Sequence, residues 1–151
     1  MKRIALLSFV LFAGLLFAQT ANAQCSPDDI IGEWVTDSAK SKVKIWKSGN
    51  KYYGKIVWLK EPIDEETGKP KLNKHHPDKS KQSEPVKGLQ ILRDLEFDED
   101  CKWEDGYVYD PENGKEYSGY AELLNENKLK LRGYIGISLI GRTTYWRRVK
   151  G

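Results

Sequence analysis

The sequence predicts an all-β protein, a small antiparallel arrangement of eight short strands with one long charged loop at about 60–87. Three observations carry that reading. Apolar and polar residues alternate along much of the chain, as in strands with one buried face. Short polar connections separate these runs at hairpin spacing. No sustained helical period competes with them. Eight such strands imply a sandwich or a closed barrel.

The N-terminus precedes the first strand and reads as an export signal. Lys2 and Arg3 form a basic start, residues 4–18 form an apolar run, and Ala21-Asn22-Ala23 offers a small-residue cleavage site. The run is shorter than the roughly 20 residues of a membrane-spanning helix. Retention as an anchor, or lipidation of Cys25, are the competing readings; Gln24 disfavours the second, because a lipoprotein places a small residue there. The expectation is signal peptide 1–23, then one domain over 24–151, periplasmic or secreted, with no transmembrane anchor after signal removal. In an oxidising compartment Cys25 and Cys101 tend to pair, and closing a loop of that length is worth roughly 4–5 kcal/mol in the chain-entropy model. An unpaired Cys25 near the new terminus is the alternative.

Strands are expected near 30–36, 42–48, 51–59, 89–97, 101–109, 115–124, 127–135 and 142–149. Val43 and Ile45 alternate with Lys42 and Lys44, and Leu129 and Leu131 with Lys128, Lys130 and Arg132. Leu89, Ile91, Leu95 and Phe97 share a phase with Arg93, while Asp94, Glu96, Asp98 and Asp100 take the other. That carboxylate row lacks the Gly and closing Glu of a calcium loop, so it reads as a solvated face. Ser48-Gly49-Asn50, Glu112-Asn113-Gly114 and Asn125-Glu126-Asn127 supply turns. The 60–87 stretch, with Pro62, Pro70, Pro77 and Pro85, reads as a lid over one barrel mouth or as a mobile surface excursion. Residues 135–141 are apolar where a hairpin turn should be polar. Closure of the barrel mouth is the favoured expectation, and an exposed patch for a partner, membrane or ligand is the alternative.

Larger motifs then suggest a relative. Gly32-Glu33-Trp34, with Arg142, Arg147 and Arg148 in the last strand, resembles the lipocalin or calycin signature, in which a cation covers a Trp at the barrel's closed end. Lys55-Ile56-Val57-Trp58-Leu59-Lys60-Glu61-Pro62, Gly88-Leu89-Gln90-Ile91-Leu92, Tyr109-Asp110-Pro111 with Gly114-Lys115, and Arg132-Gly133-Tyr134-Ile135-Gly136 through Gly141-Arg142 to Trp146 resemble the exported bacterial family catalogued as domain of unknown function 2147. The resemblance covers nearly all of 24–151 and implies a small lipocalin-like β-barrel, with Gly32 and Trp34 structural. It brings no established activity, substrate or catalytic residue.

Composition narrows function by exclusion. Lys plus Arg number 25 against 22 Asp plus Glu, a net charge of +3 that falls to +1 without Lys2 and Arg3. Near-balance argues against a dedicated nucleic-acid binder. Two cysteines and two histidines are too few for most zinc frameworks, so no metal and no cofactor is expected. His75 and His76 are adjacent in a polar loop, and no nucleophile elbow, Walker loop or dinucleotide fingerprint occurs. Paired carboxylates such as Glu61 and Asp110 have no fixed geometry, and the chain is not expected to be an enzyme.

Aromatics are more informative, because Trp and Tyr combine an apolar body with a hydrogen-bonding tip. Trp34 reads as a base plug. Trp58, Tyr109, Tyr134 and Trp146 are the candidate ligand lining, with Arg132 or Arg142 as polar anchor; filling a narrow core is the structural alternative. Two functions follow: an exported binding protein for a small apolar or amphipathic molecule, or a solid-cored envelope protein that meets a protein or glycan through exposed Trp and Tyr and the charged loop.

Overall fold

The computed structural model describes residues 24–151, so the expected signal peptide at 1–23 lies outside the described residues. Eight antiparallel strands form a closed barrel in sequence order: β1 (Gly32–Val35), β2 (Ser41–Ser48), β3 (Lys51–Leu59), β4 (Gln90–Phe97), β5 (Lys102–Asp110), β6 (Lys115–Asn125), β7 (Lys128–Tyr134) and β8 (Gly141–Arg148). The barrel closes through Trp34 opposite Arg148 and Val35 opposite Arg147. All eight strands fall within a few residues of their expected positions. Among the described residues no helix is long and apolar enough to cross a membrane.

Up-and-down order sends alternate connections to opposite ends. At the base lie the β2–β3, β4–β5 and β6–β7 turns and a single 3-10 turn, Pro27–Ile30, capped by the Ser26 side chain. This turn plugs the barrel because three buried aromatics direct their polar tips at it. Trp34 Nε1 donates to the Ile30 carbonyl (3.0 Å), Trp103 Nε1 to the Pro27 carbonyl (3.1 Å), and the Tyr52 hydroxyl to the Asp28 carboxylate (2.9 Å). Trp34 and Trp103 are fully buried, and truncating a buried Trp to Ala costs roughly 3–5 kcal/mol. Cys25 and Cys101 form a disulfide, Cα atoms 5.2 Å apart, tying the segment before the plug to the β4–β5 turn.

Of the three arginines in the last strand, Arg148 covers Trp34, its guanidinium 4.2 Å from the ring centre. It also donates to the carbonyls of Ile31, Asp29 and Glu126. Gly32 makes this fit possible: its φ is +138°, and a Cβ there would stand 2.9 Å from Arg148 Nη1. The core of Val43, Ile45, Leu92, Leu95, Ala121 and Leu129 packs above the plug.

Strand β4 departs from simple alternation. Asp94 adopts φ +61°, and the break lets Leu92 and Leu95 both be fully buried. Arg93, expected in phase with the apolar set, instead lies over the Tyr107 ring and pairs with Glu116 and Asp94.

The segment between β3 and β4 is folded, with isolated bridges Ile63–Pro70 and Leu72–Pro85 and a 3-10 turn at Lys79–Lys81.

Replacing Arg148 with Ala removes the ring contact and leaves three carbonyls without their donor. The expected loss is about 2–4 kcal/mol in urea unfolding. Arg148→Lys should recover little of it, because one ammonium cannot span the same fork. Burial first, and the bond to Asp28 second, push the Tyr52 phenol above its ordinary value. Its contribution is therefore complete below the unfolded tyrosine value of about 10 and is lost as pH rises through the folded one. Urea midpoints should fall between about pH 9 and pH 11, less steeply in Tyr52→Phe.

Candidate functional site

Above the core the barrel is open. The mouth end holds the β1–β2, β5–β6 and β7–β8 turns and the long β3–β4 connection, and a cavity of about 660 Å³ descends between the strands. Its wall is largely apolar: Ile56 from β3, Ile91 from β4, Val108 from β5, Leu131 from β7 and Trp146 from β8. Alternation places most of these side chains inward; Ile91 joins its neighbour Leu92 on the inner side at the β3–β4 register shift beside Gly54. Tyr109, Tyr117, Tyr134 and Arg142 supply the polar groups nearer the rim, with Asp37, Asp110 and Glu112 on the turns.

Four of the six expected ligand-lining residues, Tyr109, Tyr134, Trp146 and Arg142, lie together on this wall. Two do not. Trp58 shares parity with the buried Ile56 by simple counting, yet it pairs with Lys42 while Ile56 pairs with the next residue, Val43. The bulge puts one extra residue in β3 and turns Trp58 outward, where it is 40% exposed beneath the Lys42 ammonium. Arg132 alternates with the inward Leu131 and Gly133 and so stands on the outer face. There it donates to the Ser138 carbonyl (2.6 Å) and the Thr143 hydroxyl (2.8 Å).

The 135–141 segment also departs from expectation. Ile135 and Ile140 reach the cavity edge, but Ile135, Ile137, Leu139 and Ile140 are 62%, 58%, 84% and 66% exposed. The turn satisfies its own backbone through Ile135–Ile140 and Ile137–Ile140 hydrogen bonds, and Arg132 fixes it from outside. It stands up from the rim instead of folding inward.

Nor does the 60–87 loop roof the cavity, since none of its described residues belongs to the wall. It leans against β5 and the β5–β6 turn. The Tyr109 hydroxyl donates to Asn73 Oδ1 at 2.6 Å, the His76 ring lies 5.4 Å from the Tyr109 ring, and the His75 carbonyl occupies the space a Cβ on Gly114 would need. Asn73 is fully buried, and its Nδ2 has no partner among the described residues. Burial pushes the Tyr109 phenol up, favouring the neutral form that donates to Asn73.

Sequence reasoning missed Ile56, Ile91, Val108, Tyr117, Leu131 and Asn73. Alternation marked Ile91 and Leu131 as inward, but depth along the barrel decides whether an inward residue fills the core or lines the cavity. Asn73 carried no signal, because its partner lies 36 residues away. Among the described residues no group of three or more His, Cys, Asp or Glu side chains is placed to hold a metal ion.

A closed eight-stranded barrel with a plugged base and an open mouth is a lipocalin-like fold. A solved structure described as "Protein HP1028 from the human pathogen Helicobacter pylori belongs to the lipocalin family" has the same fold, with TM-score 0.68 and 22% identity over 80% of this chain and 82% of that one. No curated protein sequence matches at a significant level. The profile of the family described as "Uncharacterized protein conserved in bacteria (DUF2147)" matches residues 32–148, and the chain belongs to that family.

Tyr109→Phe should free the long loop. Limited proteolysis within 73–84 is expected to accelerate, and global stability to fall by about 1–3 kcal/mol, because the buried Asn73 Oδ1 is left without its donor unless the loop opens to water.

Proposed function

We propose that this chain is an exported binding protein that holds a small apolar or amphipathic molecule in the open half of its barrel, with no catalytic step. The observation that carries the reading is the cavity of about 660 Å³, within the range of small-molecule sites, which are mostly apolar with a few placed polar groups. Apolar contacts from Ile56, Ile91, Val108, Leu131 and Trp146 would hold the body of the ligand. Tyr134 and Arg142 would meet a polar end near the rim. The Tyr109 hydroxyl is already engaged by Asn73, so its ring face is the part offered. The disulfide fits an oxidising compartment, and with the basic and apolar start of the chain it supports export through a signal peptide ending at Ala23.

An open interior favours carriage over the solid-cored alternative, in which a protein or glycan meets only the outer surface. Native mass spectrometry of protein purified from its source, compared with a denatured sample, is the test. A reproducible added mass lost on denaturation is expected. Thr144→Trp, which fills the cavity from β8, should abolish it while urea unfolding changes by less than about 1.5 kcal/mol. An adduct retained in the filled variant would place the ligand elsewhere and overturn this reading.

A further inference from the structure

The near-zero net charge conceals a strong division of charge around the barrel. Residues 88–126, spanning β4 to β6, carry twelve acids and three cations. Residues 127–151, spanning β7 and β8, carry seven cations and no acid, and residues 38–60, spanning β2 and β3, carry seven lysines and no acid. Because β8 pairs with β1 and β1 with β2, the two basic stretches flank the four-residue β1, which carries one acid, Glu33, and form a mainly basic wall opposite the acidic one.

The exposed apolar turn rises from the basic wall, at the cavity's rim. Ile137 and Leu139 take no part in the cavity wall, and Arg132 and Arg142 flank them on the same hairpin. Two further exposed apolar side chains, Trp58 and Ile63, lie at the same end of the molecule. Apolar side chains flanked by cations on their own hairpin match the two attractions of a lipid interface: burial at the acyl boundary and charge pairing with anionic headgroups. A soluble acidic partner would need the cations but not four unpaired aliphatic side chains. A second copy of this chain would bring basic wall to basic wall.

We propose that the rim over β7–β8 docks on an anionic phospholipid surface, residues 135–140 entering the interface and Arg132 and Arg142 meeting the phosphates. Docking stands on the rim alone. That it lets an amphipathic ligand pass between bilayer and barrel rests on the cavity reading above.

Flotation with phosphatidylcholine vesicles containing about a third phosphatidylglycerol tests it. The protein should float with these vesicles and not with pure phosphatidylcholine, and raising salt from about 0.05 M to about 0.5 M should release it. Leu139→Asp and Ile137→Ser should each reduce flotation at least about ten-fold with unchanged circular dichroism, and Arg142→Gln about five-fold. Uptake of N-phenylnaphthylamine reports the cavity separately. Leu139→Asp should keep dye uptake and lose vesicles, whereas Thr144→Trp should lose dye and keep vesicles. Failure of dye uptake with intact flotation would remove the carrier reading and leave docking standing. Flotation equal on neutral vesicles, unaffected by Leu139→Asp, or absent would overturn docking. A dimer in lipid-free solution that Leu139→Asp dissolves would assign the turn to a second copy and overturn it too.

Discussion

Arg148 over Trp34 is the contact on which the rest of the barrel depends. β1 is only four residues long, so the seam between first and last strands has few backbone pairs. The guanidinium strengthens that seam by bonding carbonyls on both sides of it and by stacking on the ring beneath. A planar, permanently charged fork suits such a site, because each donor is already aimed and little side-chain freedom is left to lose. The 3-10 turn adds a second fastening. Three aromatics that would otherwise carry unsatisfied polar tips into the core share it as their hydrogen-bond partner, and the disulfide ties its approach to the β4–β5 turn.

A base fixed in this way lets the other end be hollow. Trp34, Tyr52 and Trp103 fill the barrel low down, while Ile56, Ile91, Val108, Leu131 and Trp146 line the upper wall and leave its centre open. An eight-stranded barrel has just enough width either to be filled by side chains or to leave room for one small ligand, and this barrel is filled at its base and hollow above. The carrier and solid-cored readings of the sequence thus describe two halves of one interior. The charged loop braces the outside of the mouth through Tyr109 and Asn73 and leaves the opening clear.

Charge follows the same division of labour around the circumference. Acids on β4–β6 find local partners, as in Arg93 with Glu116 and Lys130 with Glu122. Lys40, Lys42, Lys44, Lys55 and Lys60 lack ion pairs among the described residues, and several of the basic set lie instead over aromatic rings. Such a surface leaves its positive charge unpaired, with the exposed apolar turn at its upper edge.

By itself the sequence determined the number, order and bounds of the strands, since period-two alternation and turn chemistry are local properties. It offered Trp34 as a base plug by resemblance, and Tyr109, Tyr134, Arg142 and Trp146 as candidate lining, with filling of a narrow core left as the alternative. What only tertiary structure decided was everything that phase cannot carry. One bulge beside Val57 moved Trp58 to the outside, and the register shift beside Ile91 did the same for Arg93, because a single inserted residue reverses every side chain beyond it; the positive φ of Asp94 then returns Leu95 to the inside. Depth in the barrel separated cavity from core among residues of identical pattern. Residues 135–140 read as a closing segment in the sequence because apolar side chains usually seek the interior. Arg132, from the outer face, bonds the Ser138 carbonyl and holds them outward, a contact no alternation rule contains.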